Sequence, residues 1–156
     1  MVREIEMIDV DQSDYRVDSP FDLSTSGLGP CIGIVVGFQG AVSMLHAPMP
    51  DAGGAENFFA DLCALIPAEQ RAAIRPILAG GLSTTGRSVP AHLVKTRKWV
   101  GLELQKLGFG SPHIHWGNGG PLSCHNVKTN IAKGHVEITH HELLGESTTV
   151  AVVPLW

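Results

Sequence analysis

Between residues 31 and 50 the chain writes out one piece of its own architecture. Ile32-Gly33-Ile34-Val35-Val36 is an apolar run bounded by turn residues, which reads as a buried strand. Gly37-Phe38-Gln39-Gly40 supplies a four-residue turn, and Ala41 to His46 forms a second strand that returns antiparallel to the first. The open end of this hairpin brings together Cys31 and His46.

That pairing carries chemistry. A thiol is a weak nucleophile until a neighbouring imidazole takes its proton, and the resulting ion pair is expected to hold the Cys31 pKa below its free value of about 8.5. Gly27 and Gly29, just upstream, offer bare backbone that lets a substrate carbonyl approach, with N–H groups to hold a developing oxyanion, and Ser26 belongs to the same substrate-binding and oxyanion set. Singly, the cysteine reads as a small core residue and the histidine as a hydrogen-bonded strand-end residue. As a hairpin-linked pair behind a glycine-rich approach, they read as nucleophile and base. Ser24, Thr25 and Ser26 put three hydroxyls nearby, and strand alternation sends Thr25 to the face opposite both serines.

The run Thr25-x-Gly27-Leu28-Gly29-x-Cys31, the strand after it, and Met44-Leu45-His46-Ala47-Pro48-Met49-Pro50-Asp51 resemble the CheD chemoreceptor glutamine deamidases. Ile77-Leu78-Ala79-Gly80-Gly81, Asn118-Gly119-Gly120 and the segment from Asn126 to Gly134 extend the likeness from Leu23 to His141. The resemblance implies Cys31 as nucleophile, His46 as general base and Thr25 as the residue that positions the histidine. It also implies layered sheets with helices packed outside, as in the related cytotoxic necrotizing factor deamidase domain. The implied substrate is a glutamine on a cytoplasmic chemoreceptor, and a CheC-like phosphatase is an implied partner. Two other roles fit the same likeness: a deamidase or transglutaminase-type effector with another protein target, and a non-catalytic chemotaxis binding module. The chain departs from the pattern at Pro30, where the family has serine, which removes one backbone N–H next to the nucleophile.

A chain of 156 residues is the size of one domain, and 1–156 is read as such. With net charge −4 and no Lys/Arg cluster interleaved with aromatics, nucleic acid is not an expected partner. Lys95, Arg97 and Lys98 read as a solvated helix face. No apolar stretch approaches the roughly 20 residues that span a bilayer, and the acidic N-terminus is unlike a signal peptide, so a soluble cytoplasmic protein without membrane insertion is expected. The three cysteines, Cys31, Cys63 and Cys124, read as free thiols, with Cys63 in the core. His113, His115, Cys124-His125 and His140-His141 lack the paired spacing of a closed zinc site and read as a polar sheet face. No metal and no cofactor is expected; His92 reads as exposed.

The remaining pattern is helical from Glu56 to Ile66, stopped by Pro67, with a short helical turn to Ala73. A strand over Ile77 to Ala79 and a polar loop over Ser83 to Ser88 precede the longest helix, Ala91 to Leu107, whose apolar positions include Val94, Leu102, Leu104 and Leu107. Short strands follow at Ile114 to Trp116, Leu122 to Val127, His135 to His141 and Thr148 to Val153. Residues 1–20 read as a partly ordered arm with an early strand from Glu4 to Val10. The sum is α+β, with layered mixed β-sheets.

Overall fold

The computed structural model describes residues 7–82, 89–117, 123–142 and 145–156. In chain order the strands are β1 Ile8–Asp9, β2 Asp14–Ser19, β3 Leu23–Leu28, β4 Ile32–Phe38, β5 Ala41–Ala47, β6 Ile77–Gly80, β7 His113–Trp116, β8 Cys124–Asn130, β9 His135–His141 and β10 Ser147–Pro154. The helices are α1 Glu56–Leu65, α2 Ala68–Arg71 and α3 Ala91–Lys106. Two five-stranded mixed sheets result, one in the order β1-β3-β8-β9-β10 and the other β2-β5-β4-β6-β7. The fold is α+β, as the sequence predicts. The 83–88 loop, the Asn118-Gly119-Gly120 turn and the start of the Leu122 strand lie outside the described residues.

Strand β4 explains the layering. It is buried on both faces, which is why its sequence is apolar without alternation. Ile32, Ile34 and Val36 point one way, into a core with Leu45, Phe58, Leu62, Val100 and Leu104 under α1 and α3. Cys31 and Val35 belong to the opposite core, shared with Val10, Leu28, Val127, Val136 and Ile138 of the other sheet. The order of layers is therefore sheet, sheet, helices. At the tip of the β4–β5 hairpin, Phe38 pairs with Ala41, so the turn shrinks to Gln39-Gly40, both with left-handed φ. That is the two-residue turn whose twist matches a hairpin.

Three elements differ from the sequence reading. The early strand expected from Glu4 to Val10 is present at Ile8–Asp9, where β1 pairs in parallel with β3, and its start at Glu4 lies outside the described residues. Residues 14–19, however, are not a polar arm, since β2 pairs antiparallel with β5. The alternation of Tyr15 and Val17 with Asp14, Arg16 and Asp18 is the signal, since the first pair packs on the helix-side core. Along α3 the inward stripe is Leu93, Thr96, Val100 and Leu104, while Val94 and Leu102 face out. Thr96 takes an inward place because its hydroxyl donates to the His92 carbonyl and needs no other partner. Cys63 is only half-buried. No described helix is long and apolar enough to cross a membrane.

Candidate functional site

Thr25 and His46 meet where the chain passes from one sheet to the other, with Cys31 diagonally across the hairpin from His46. Thr25 lies on β3, Gly29-Pro30-Cys31 makes the crossing, and His46 lies on β5. The hairpin register sets Gly33 opposite His46 and Ile32 opposite Ala47, so Cys31 and His46 are diagonal neighbours on the face turned toward the other sheet. The expected hairpin geometry is present. A bulge in the β3–β8 pairing between Thr25 and Leu28 leaves Ser26 and Gly27 exposed while Thr25 and Leu28 stay buried.

The hydrogen bonds fix the tautomer of His46. The Thr25 hydroxyl lies 2.6 Å from the Val10 carbonyl, which can only accept, so its proton is donated there. His46 Nδ1 lies 2.7 Å from the same oxygen and must therefore carry a hydrogen and donate it. This leaves Nε2 as the basic nitrogen, buried and without a hydrogen-bond partner. The Ser13 N–H donates to the His46 carbonyl at 2.8 Å, so the connection between β1 and β2 braces the histidine from behind. Two alternatives left open by the three hydroxyls close here, because it is Thr25 that reaches the ring.

The expected ion pair is absent from this resting arrangement. No hydrogen bond joins Cys31 to His46 Nε2. Burial pushes the Cys31 thiol up, opposed in part by its own backbone N–H, and burial pushes His46 down, opposed by the carboxylates of Asp9 and Asp11. Both groups rest neutral, because two charges without a hydrogen bond between them cost more in a desolvated site than they gain.

The glycines also depart from expectation. The Gly27 N–H donates to Asn126 Oδ1 at 3.1 Å and the Gly29 N–H to the Gly27 carbonyl at 2.9 Å, so both expected oxyanion donors are already engaged. Pro30 has none, which leaves the Cys31 N–H beside its own sulfur. What the crossing does have is rigidity. The Leu82 N–H donates to the Gly29 carbonyl and the Gly81 N–H to the Cys31 carbonyl, each at 2.8 Å. Gly80 lies against this segment with φ of 82°, and a Cβ there would stand 2.4 Å from the Cys31 carbonyl oxygen.

Two residues in this support have places other than those the sequence suggests: Arg97 is not on a solvated face, and His125 is buried and not on a polar sheet face. Arg97, read as part of a solvated face, donates through Nε (3.0 Å) and Nη2 to the Gly81 carbonyl and packs over the Trp116 ring. His125 accepts from the Gly80 N–H at 3.1 Å. Its inward placement was readable in the alternation of His125, Val127 and Thr129, all buried along β8. His113 and His115 do share a face of β7, and His92 is exposed. Among the described residues no group of three or more His, Cys, Asp or Glu side chains is arranged to hold a metal ion.

A groove of about 380 Å³ opens at the same end of the hairpin, lined by Pro30, next to Cys31 in sequence, by Pro48, two residues past His46, and by Met49, Asp51 and Leu93. Asp51 Oδ1 is buried there without a hydrogen-bond partner. Scanned against protein-family models the chain matches none, and no curated protein is significantly similar to it in sequence.

Proposed function

We propose that this protein is a cysteine-dependent protein-glutamine deamidase. The observation that carries the reading is the His46 tautomer: a hydroxyl that accepts from Nδ1 leaves a buried, unpartnered Nε2 on the same sheet face as a cysteine. An acceptor kept buried and empty costs about 1–3 kcal/mol, a cost that a proton-accepting role accounts for. In the reaction, Nε2 takes the Cys31 proton as the sulfur attacks the carboxamide carbon, and the Cys31 N–H holds the oxyanion. Collapse breaks the C–N bond, and the Nε2 proton leaves with the nitrogen as ammonia. Water then gives a proton to Nε2, its oxygen attacks the thioester, and the departing sulfur recovers the proton, leaving glutamate.

The groove beside Pro30 and Pro48 supports a substrate presented on a protein surface, with Met49 and Leu93 as an apolar bed and Asp51 as an acceptor for a substrate N–H. The sequence resemblance favours chemoreceptors as substrates, a cytoplasmic setting and a CheC-like phosphatase as partner. A second reading, a binding module without turnover, is favoured by the engaged Gly27 and Gly29 N–H groups, which leave few oxyanion donors. Mass spectrometry of candidate protein substrates separates the two. The deamidase adds about one dalton per glutamine, and Cys31→Ala abolishes the gain with the fold intact. Equal gain with and without the thiol would sink the proposal.

A further inference from the structure

We infer that His125 is a positioning residue for Cys31, acting through the Gly80 N–H. The inference rests on the reading above that Cys31 is the reactive thiol. His125 is only 3% exposed and sits on β8 opposite Leu28 of β3. Its Nδ1 lies 3.1 Å from the Gly80 nitrogen, and since a backbone N–H only donates, Nδ1 is the bare acceptor and the ring proton sits on Nε2. The bond joins the two sheets, since β8 belongs to one and β6 to the other.

Gly80 is where this bond meets the nucleophile. Its backbone lies so close to the Cys31 carbonyl that no side chain fits between them, and the next N–H, that of Gly81, holds that carbonyl at 2.8 Å. A shift of Gly80 therefore moves the Cys31 backbone, including the N–H that faces the sulfur. The groups facing the ring keep it an acceptor. His140 of β9 meets it edge-on with centroids 5.7 Å apart, and His115 of β7 lines the same cavity of about 310 Å³. Glu142 stands 3.7 Å from His140 Nε2. Burial, with His140 and His115, holds His125 neutral down to about pH 4.

Asparagine and glutamine separate an acceptor at Nδ1 from mere ring volume. The His125→Asn carboxamide oxygen falls near the Nδ1 place, whereas that of His125→Gln reaches toward Nε2. The measurement is the ratio of Cys31 alkylation rates by iodoacetamide with His46 and with His46→Ala, followed by peptide mass mapping at pH 7.5. We expect His125→Asn to keep the wild-type ratio within about twofold and His125→Gln to lower it about tenfold, the value of one hydrogen bond. Equal ratios in both variants, whether preserved or lost, would overturn the assignment. A second measurement needs no reactivity: an NMR coupling across the hydrogen bond between the Gly80 nitrogen and His125 Nδ1, and the Cys31 carbonyl shift. The coupling should be present in the wild type, and the carbonyl shift should move in His125→Gln alone. Absence of the coupling overturns the assignment even if a variant fails to fold. A wild-type alkylation ratio of one would sink the deamidase reading instead, with the carbonyl shift still deciding the positioning.

Discussion

Acid should weaken this protein through His125 before its carboxylates finish titrating. In the native state the ring is held neutral, its pKa lowered from 6.5 to about 4 by burial and by His140 and His115. In the unfolded chain the ring returns to about 6.5. Between those values the unfolded state binds the proton and the native state refuses it, so stability falls as pH falls. The contribution is fully present above about pH 6.5, declines between there and about 4, and is flat below. A gap of that size corresponds to roughly 3 kcal/mol. The assay is urea denaturation followed by tryptophan fluorescence at half-unit steps from pH 7.5 to 4.5, on wild type and on His125→Asn. Groups remote from the ring titrate alike in both, so the difference curve reports the ring together with its coupling to His140 and His115. We expect the wild type to lose most of that amount relative to the variant across the window, and parallel curves would refute the reasoning.

Thr25→Val keeps the shape but strands the His46 Nδ1–H and the Val10 carbonyl, so it should cost about 1–3 kcal/mol and lower turnover, while Thr25→Ser should restore both; thermal melts and substrate mass shift measure the two effects. Gly80→Ala forces a methyl onto the Cys31 carbonyl at a left-handed φ, and we expect a loss above about 2 kcal/mol with Cys31 alkylation altered, so a wild-type melting temperature would contradict the packing described. Pro30→Ser adds an N–H at an exposed position and should leave turnover unchanged or reduced. A large gain in deamidation would mean that the native site had decayed, and would move the weight to the binding-module reading.

The hairpin was legible because its signals are local: an unbroken apolar run, a glycine-bounded turn and a second run, all within sixteen residues from Cys31 to His46. Reading it gave the neighbourhood of Cys31 and His46 without any knowledge of the second sheet. Thr25 came only through the family likeness, since its contact with His46 crosses between sheets and three hydroxyls competed for it locally. The engaged glycine N–H groups were out of reach for the same reason: Asn126 lies ninety-nine residues from Gly27. Arg97 looked like one of three basic residues on a helix, and only the fold shows that it clamps the Gly81 carbonyl. β2 is a different kind of miss. Its alternation is in the sequence, but only two apolar residues, Tyr15 and Val17, carry it among exposed charged ones, a pattern that a solvated arm shares.

Thr25 and the Val10 carbonyl ride on one sheet and His46 on the other, so the proton arrangement of the imidazole exists only once the two sheets have closed on each other. A chain with either sheet formed alone has a cysteine and a histidine but no rule for which ring nitrogen is bare. Its chemistry is thereby tied to completion of the fold. On the proposed mechanism, an unfinished molecule lacks a defined base, and a finished one that is pried open along the seam between its sheets loses it again before any strand need unravel.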